Sequence, residues 1–228
     1  MRLHLKQYTE PIFDQLADYR AQLVTHPLLI AARTGELSRD TLHEFAFHQY
    51  SDSILWIPML AQMKQMARRS TRLRKAIEDN IAHEAGLGCT SHVHLAVALM
   101  RSLGVAELAG FPTHTFARSA ELWLSDAFAD QSEPEVAGWL LVAESLVPLM
   151  FASLAPSFVA LGADTRYFAE HVEVDTDAHA AWMAESVEEI VDIYGPTCTS
   201  AITAGMTDAW QETREVPDAL WRKQCASH

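Results

Sequence analysis

Apolar residues recur along this chain in long blocks at three- and four-residue spacing, with Gly or Pro falling between the blocks. That spacing is one face of an α-helix, which turns about 100° per residue. It predicts helices near residues 9–25, 38–68, 71–85, 90–104, 114–128, 133–161, 164–194 and 196–213. The sixth is expected to break around Pro148 or Pro156, because proline removes a backbone donor and clashes with the preceding turn. Caps support the starts: Ser38 ahead of RDTLHEF, Ser132 ahead of EPEV, and Asp164 or Thr165 ahead of RYFAEH. Gly104 and Gly195-Pro196 mark stops. No strand-like alternation with Asn-Gly or Asp-Gly turns occurs, and no repeat, low-complexity tract or linker interrupts the pattern. The expectation is one all-α domain over residues 1–228, a bundle of about seven to eight helices.

Composition narrows the partners. With 228 residues, 49% of them hydrophobic, the chain can bury a full core. A formal net charge of -13 argues against nucleic acid and against an anionic membrane, since both repel an acidic surface. Cys89, Cys198 and Cys225 form no CxxC pair, which fits a reducing cytoplasm. The opening MRLHLKQYTEPIFDQL has no apolar h-region and does not read as a signal peptide. From Val136 to Leu161 the only charged residue is Glu144, and that length could span a bilayer. Pro148, Pro156, the central Glu144 and the lack of a flanking Lys/Arg cluster favour a buried helix of a bundle instead.

Candidate chemistry begins with HVEVDTDAH, residues 171–179. On a helix His171, Asp175 and His179 drift by only about 80° and share a face. Imidazole and carboxylate there suit iron, manganese or zinc, although a solvated acidic helix with incidental histidines would show the same pattern. Glu144 adds a second signal: an ionised carboxylate in an apolar segment costs several kcal/mol unless it is paired or bound to a cation. The third lies in NIAHEAGLGCTSHVHLAVALMRSLG, where Glu84 and His92 repeat the eight-residue spacing of His171 and His179. Gly86 and Gly88 can break that helix, so His94 stands as a substitute for His92, and His83 as a weaker one. Together Glu84, His92, Glu144, His171, Asp175 and His179 supply three carboxylates and three imidazoles, an inventory suited to two bridged metal ions. A ferritin-like di-iron bundle would need two Glu-x-x-His repeats, and no Glu in the chain is followed by His at the third position.

Four segments in order resemble the haem-oxygenase-like di-iron oxidases, relatives of the TenA and PqqC folds that bind non-haem iron in place of haem. They are LHEFAFHQYSDSILWIPMLAQM (42–63), NIAHEAG (80–86) with the following His92, LVAESLVP (141–148) and RYFAEHVEVDTDAH (166–179). The resemblance favours His92 over His94. It implies two iron ions per chain, O2 as co-substrate, and Glu84 and Glu144 as the catalytic carboxylates, bridging or terminal, with His92, His171, Asp175 and His179 completing the ligands. It also implies a small-molecule substrate, a homodimer and room for an external electron donor. Family members oxidise amino-acid-derived or fatty-acid substrates by N-oxygenation, oxidative decarboxylation, C–C cleavage or desaturation. His48, Gln49, Tyr50 and Trp56 are the pocket candidates, and the polar His48 and Gln49 favour an amino-acid-derived substrate. Asp52, Glu173 and Asp177 are candidate acceptors for the outer ring nitrogens of the ligand histidines.

Two departures stand out. The family spacing of the last segment is His, Asp at +4, His at +7, and the first ligand pair is often +7, whereas both final histidines here fall at +8. One extra residue is about 100° of helix, so a distorted site or a local bulge is expected. The Ala143 and Glu170 neighbours of Glu144 and His171, where self-oxidising relatives carry Tyr, speak against oxidation of the protein's own side chains. Three other readings share the chain: a TenA-like thiamin-fragment hydrolase with Cys89 as nucleophile, a haem oxygenase with His26 as axial ligand, and a non-catalytic helical binding protein.

Overall fold

The structure, a computed structural model, describes residues 2–105, 132–174 and 179–226. Among these are nine α-helices: α1 Arg2–Val24, α2 Pro27–Thr34, α3 Arg39–Met66, α4 Thr71–Glu84, α5 His92–Ser102, α6 Glu133–Ala160, α7 Arg166–Val174, α8 Ala180–Tyr194 and α9 Thr199–Ala226. A 3₁₀ turn, Pro196–Cys198, precedes α9, and the described residues contain no strand. The helix predicted at 114–128 lies outside the described residues.

Most helix starts follow the caps read from sequence. The Ser38 hydroxyl accepts from Thr41 N. Ser132 and Glu135 form a reciprocal capping box at α6. At α7 the Asp164 carboxylate accepts from Arg166 N at 3.2 Å. Three differences have physical causes. Helix α2, only eight residues long, was not predicted because it is too short to display a period; the His26 side chain caps it and Gly35, at φ 73°, ends it. Helix α9 runs on through Pro217 to Ala226 because Pro217, Leu220 and Gln224 are buried against the bundle. Helix α6 does not break: both Pro148 and Pro156 lie inside one helix. Each interior proline costs about 3 kcal/mol, but α6 is buried along most of its length, and packing on that scale outweighs the lost donors.

Helix α6 is the axis of the molecule, packed against α1, α2, α3, α7, α8 and α9. Its apolar 18-residue window is 83% buried inside the bundle, so its membrane-like hydropathy belongs to a core helix. Two glycines let α9 approach it. A Cβ on Gly138 would lie 2.0 Å from Ile202 O, and one on Gly205 would lie 2.0 Å from Glu135 O. Beyond that crossing, Phe45, Phe151, Phe158 and Phe168 are fully buried and interlock, with Phe158 and Phe168 centroids 4.7 Å apart. This aromatic knot reaches the histidines directly, since the Phe151 and His171 rings are 4.9 Å apart.

Candidate metal centre

Glu84 is the last residue of α4 and His92 the first of α5. They do not share a helix, because Gly86 and Gly88 at positive φ turn the chain between them. The turn is tight: a Cβ on Gly86 would meet Ser91 N at 2.6 Å. It returns His92 onto Glu84, with Nδ1 to Oε2 at 2.8 Å. His171 comes from α7, its ring 4.3 Å from that of His92. One donor atom from each of Glu84, His92 and His171 lies within 4.8 Å of the others, and the three residues are 7%, 1% and 7% exposed.

Glu144 and His179 lie alongside. Glu144 Oε2 is 3.1 Å from His179 Nδ1, and its Oε1 accepts from Asn80 Nδ2 at 2.6 Å. The His83 ring stands edge-on to both His92 (4.8 Å) and His179 (5.7 Å). His179 itself is in π-helical backbone. A π turn absorbs one residue, the kind of accommodation expected for a ligand displaced from +7 to +8. Asp175, Asp177 and the Glu173 side chain lie outside the described residues.

Electrostatics prepare the histidines as ligands. Burial, and then the His92 charge, lowers His171 to about 3, although Glu84 acts the other way. Burial and then His83 lower His92 to about 4. Both rings are therefore neutral at neutral pH and offer lone pairs. His171 Nδ1 donates to Tyr167 O at 2.7 Å, which leaves Nε2 as its free lone pair. Burial raises Glu84 to about 7 against the opposing pull of His171. Among the described residues neither ring nitrogen of His92 has a hydrogen-bond partner, although Nδ1 is so close to Glu84. A carboxylate oxygen and an imidazole nitrogen set this close, both buried, could serve as ligands to a common cation. The residues fit a bound metal, and nitrogen with carboxylate oxygen is a donor set that suits iron, manganese or zinc.

A cavity of about 110 Å³ opens beside this cluster. Glu84, Glu144 and His171 line it, together with the aromatic Trp139, Phe151 and Tyr167. Gln49 and Trp56 line it, whereas His48 and Tyr50 are not among the lining residues. The reason is rotation: Gln49, Asp52, Ser53 and Trp56 follow the i, i+3, i+4, i+7 stripe of one helix face, and positions 48 and 50 turn away from it. Asp52 and Ser53 complete that stripe. Glu212 and Thr213 enter from α9, which sequence reasoning ended at residue 213 and did not connect to the site. Asn80 was also missed, and an amide one helical turn before Glu84 was its only signal.

The alternative histidines have other positions. His94 is bonded to Ser91 Oγ at 2.7 Å on an exposed face. His26 caps α2 and faces Asp218 at 3.0 Å. Cys89 is exposed, does not line the cavity, and has its thiol pushed up by partial burial and by Glu170 and Glu84, the reverse of an activated nucleophile.

Buried carboxylates and imidazoles thus gather inside an all-α bundle of haem-oxygenase-like fold, beside a small aromatic cavity, in a set that could hold a metal ion. Solved structures share that fold. A CADD-like protein of unknown function from Nostoc punctiforme superposes with a TM-score of 0.73 at 18% identity, covering 97% of this chain and 99% of its own. A domain of unknown function with a heme oxygenase-like fold from Shewanella denitrificans gives 0.72 at 13% identity, covering 94% and 92%. A TenA homolog from Pseudomonas syringae gives 0.63 at 11% identity, covering 97% and 93%. No protein of curated function matches the sequence significantly. The model of the iron-containing redox enzymes matches residues 39–212, and the chain belongs to that family.

Proposed function

We propose that this protein is an O2-dependent non-haem di-iron oxidoreductase acting on a small amine-bearing, amino-acid-derived substrate, by N-oxygenation, oxidative decarboxylation or C–C cleavage. The observation that carries the reading is the buried cluster of Glu84, His92 and His171, whose donor atoms lie within 4.8 Å of one another. Those three would hold one iron and Glu144 with His179 the other, with Asp175 as the further ligand that the resemblance implies. Bound iron supplies the electrons and open coordination positions for dioxygen.

The chain's own residues do the rest. Tyr167 O fixes the tautomer and direction of His171. Asn80 holds one oxygen of Glu144 so that the other faces His179. Trp56, Trp139, Met150 and Phe151 make a dry wall that excludes water from the reacting end. Asp52 supports the amine. Among the described residues its Oδ1 is buried without a hydrogen-bond partner while Oδ2 accepts from Gln49 at 3.3 Å, and none of the described lining residues is Lys or Arg. Burial holds the Asp52 carboxyl well above the usual range, a cost that a substrate ammonium group would offset.

Anaerobic Fe(II) titration followed by O2 mixing, watched by stopped-flow absorbance, tests the reading. Uptake of about two iron ions per chain and a transient visible band, both impaired in Glu144→Ala, are expected. No iron uptake by the wild type would overturn it.

A further inference from the structure

Outside the core ligands, His83, Cys89 and Glu170 bring one donor atom each to within 4.8 Å of one another. They come from three different places: the last turn of α4, the loop that follows it, and α7. The loop is shaped for this return. Its two positive-φ glycines fold it back, and Cys89 Sγ lies 3.6 Å from His83 O. Glu170 Oε1 is 3.2 Å from His83 Nε2, while His83 Nδ1 is buried with no hydrogen-bond partner among the described residues. Burial grades outward, from a partly buried imidazole and carboxylate to an exposed thiol. Nothing in the proposed oxidation uses these three groups.

We infer that His83, Cys89 and Glu170 form a second, solvent-accessible site for a borderline-soft divalent ion such as Fe(II), Co(II) or Zn(II), and that it is the station from which iron reaches the buried ligands. Thiolate, imidazole and carboxylate are the donor types such ions take, with the exposed side left for water. A thiolate and a carboxylate balance the two charges of the ion. The Cys89 proton leaves to solvent on binding, and the metal replaces the repulsion that Glu170 and Glu84 exert on the thiolate. The His83 ring then stands between this site and the core, edge-on to His92 and His179. The entry role rests on the di-iron reading; the site itself does not.

Co(II) titration of the metal-free full-length chain tests the site, because a thiolate bound to Co(II) absorbs in the near ultraviolet. The expected result is a thiolate band in wild type that Cys89→Ser abolishes, together with one equivalent of Co(II). Glu170→Gln weakens the same band by roughly tenfold in affinity, and Glu144→Ala retains it. Absence of the band, or equal Co(II) uptake by wild type and Cys89→Ser, would overturn the site. Stopped-flow Fe(II) loading of the core then tests the entry role. Loading roughly tenfold slower in Cys89→Ser, with unchanged final core occupancy, supports it, and equal rates overturn it. Failure of core loading in every variant while the Co(II) band persists would instead count against the di-iron reading.

Discussion

Asn80 and Glu144, sixty-four positions apart, meet at 2.6 Å in the centre of the bundle, the amide donating to Oε1. The contact fixes the carboxylate's rotation and presents its other oxygen to His179. Asn80→Ala should weaken iron binding by roughly 10- to 100-fold, as loss of an outer-sphere partner does. Folding should suffer by only about 1–3 kcal/mol. Fe(II) titration and urea unfolding of the same variant separate the two effects, and equal iron affinity would show that Glu144 needs no such support.

Iron should stabilise the fold. A ligand at a hundred times its Kd adds about 2.7 kcal/mol, which for a chain of this size raises Tm by roughly 5–10 °C. Thermal unfolding with Fe(II) under argon, against the same protein in chelator, measures this. Glu84→Gln should keep the metal-free Tm or raise it slightly, since a buried charge is removed, and should lose most of the increment.

The close crossing of α6 and α9 admits no side chain at Gly138 or Gly205. Either Gly→Ala substitution sets a methyl against a backbone carbonyl, which cannot swing aside as a side chain would. A loss of about 3 kcal/mol or more is expected, read as a lower denaturant midpoint at unchanged slope. Gly35→Ala, where a Cβ would meet nothing within 4 Å, should cost less, although its φ of 73° still strains an alanine.

Glu189 ties α8 to the start of α4. Its carboxylate accepts from the Ser70 hydroxyl, from Thr71 Oγ1 at 3.0 Å and from Arg72 N at 2.8 Å. Partial burial pushes its pKa up, but the Ser70, Arg72 and Thr71 hydrogen bonds outweigh that and leave it below the ordinary value. The folded state therefore prefers the ionised form. That stabilisation is complete above the unfolded-state pKa and is lost as pH falls through the depressed folded value. Metal-free Glu189→Gln should accordingly be less stable than wild type at pH 7, with the difference shrinking as pH falls below about 4.3. Urea midpoints taken along a pH series would show it, and a constant difference would remove the carboxylate from the acid limb.

Helical periodicity, caps and the isolated Glu144 were legible in the sequence alone, because each depends on neighbours within a few turns or on residue chemistry. They set an all-α chain, the starts of α3 and α6, and a buried carboxylate in need of a partner. The imidazoles and carboxylates at positions 84, 92, 144, 171, 175 and 179 could be picked out as candidate ligands for the same reason. What the chain does in space could not be. Which of His83, His92 and His94 lies against Glu84 depended on a two-glycine turn that returns α5 onto α4, a geometry no spacing rule carries across a helix break. The face of α3 that lines the cavity, Gln49 through Trp56 without His48 and Tyr50, depended on how that helix is rotated against α6. Helix α6 kept its prolines because burial from every side outweighed a local penalty, and the approach of Asn80 to Glu144 joined residues from different helices. Local propensity sets where helices form; packing free energy, summed over contacts far apart in the chain, sets which of their side chains meet.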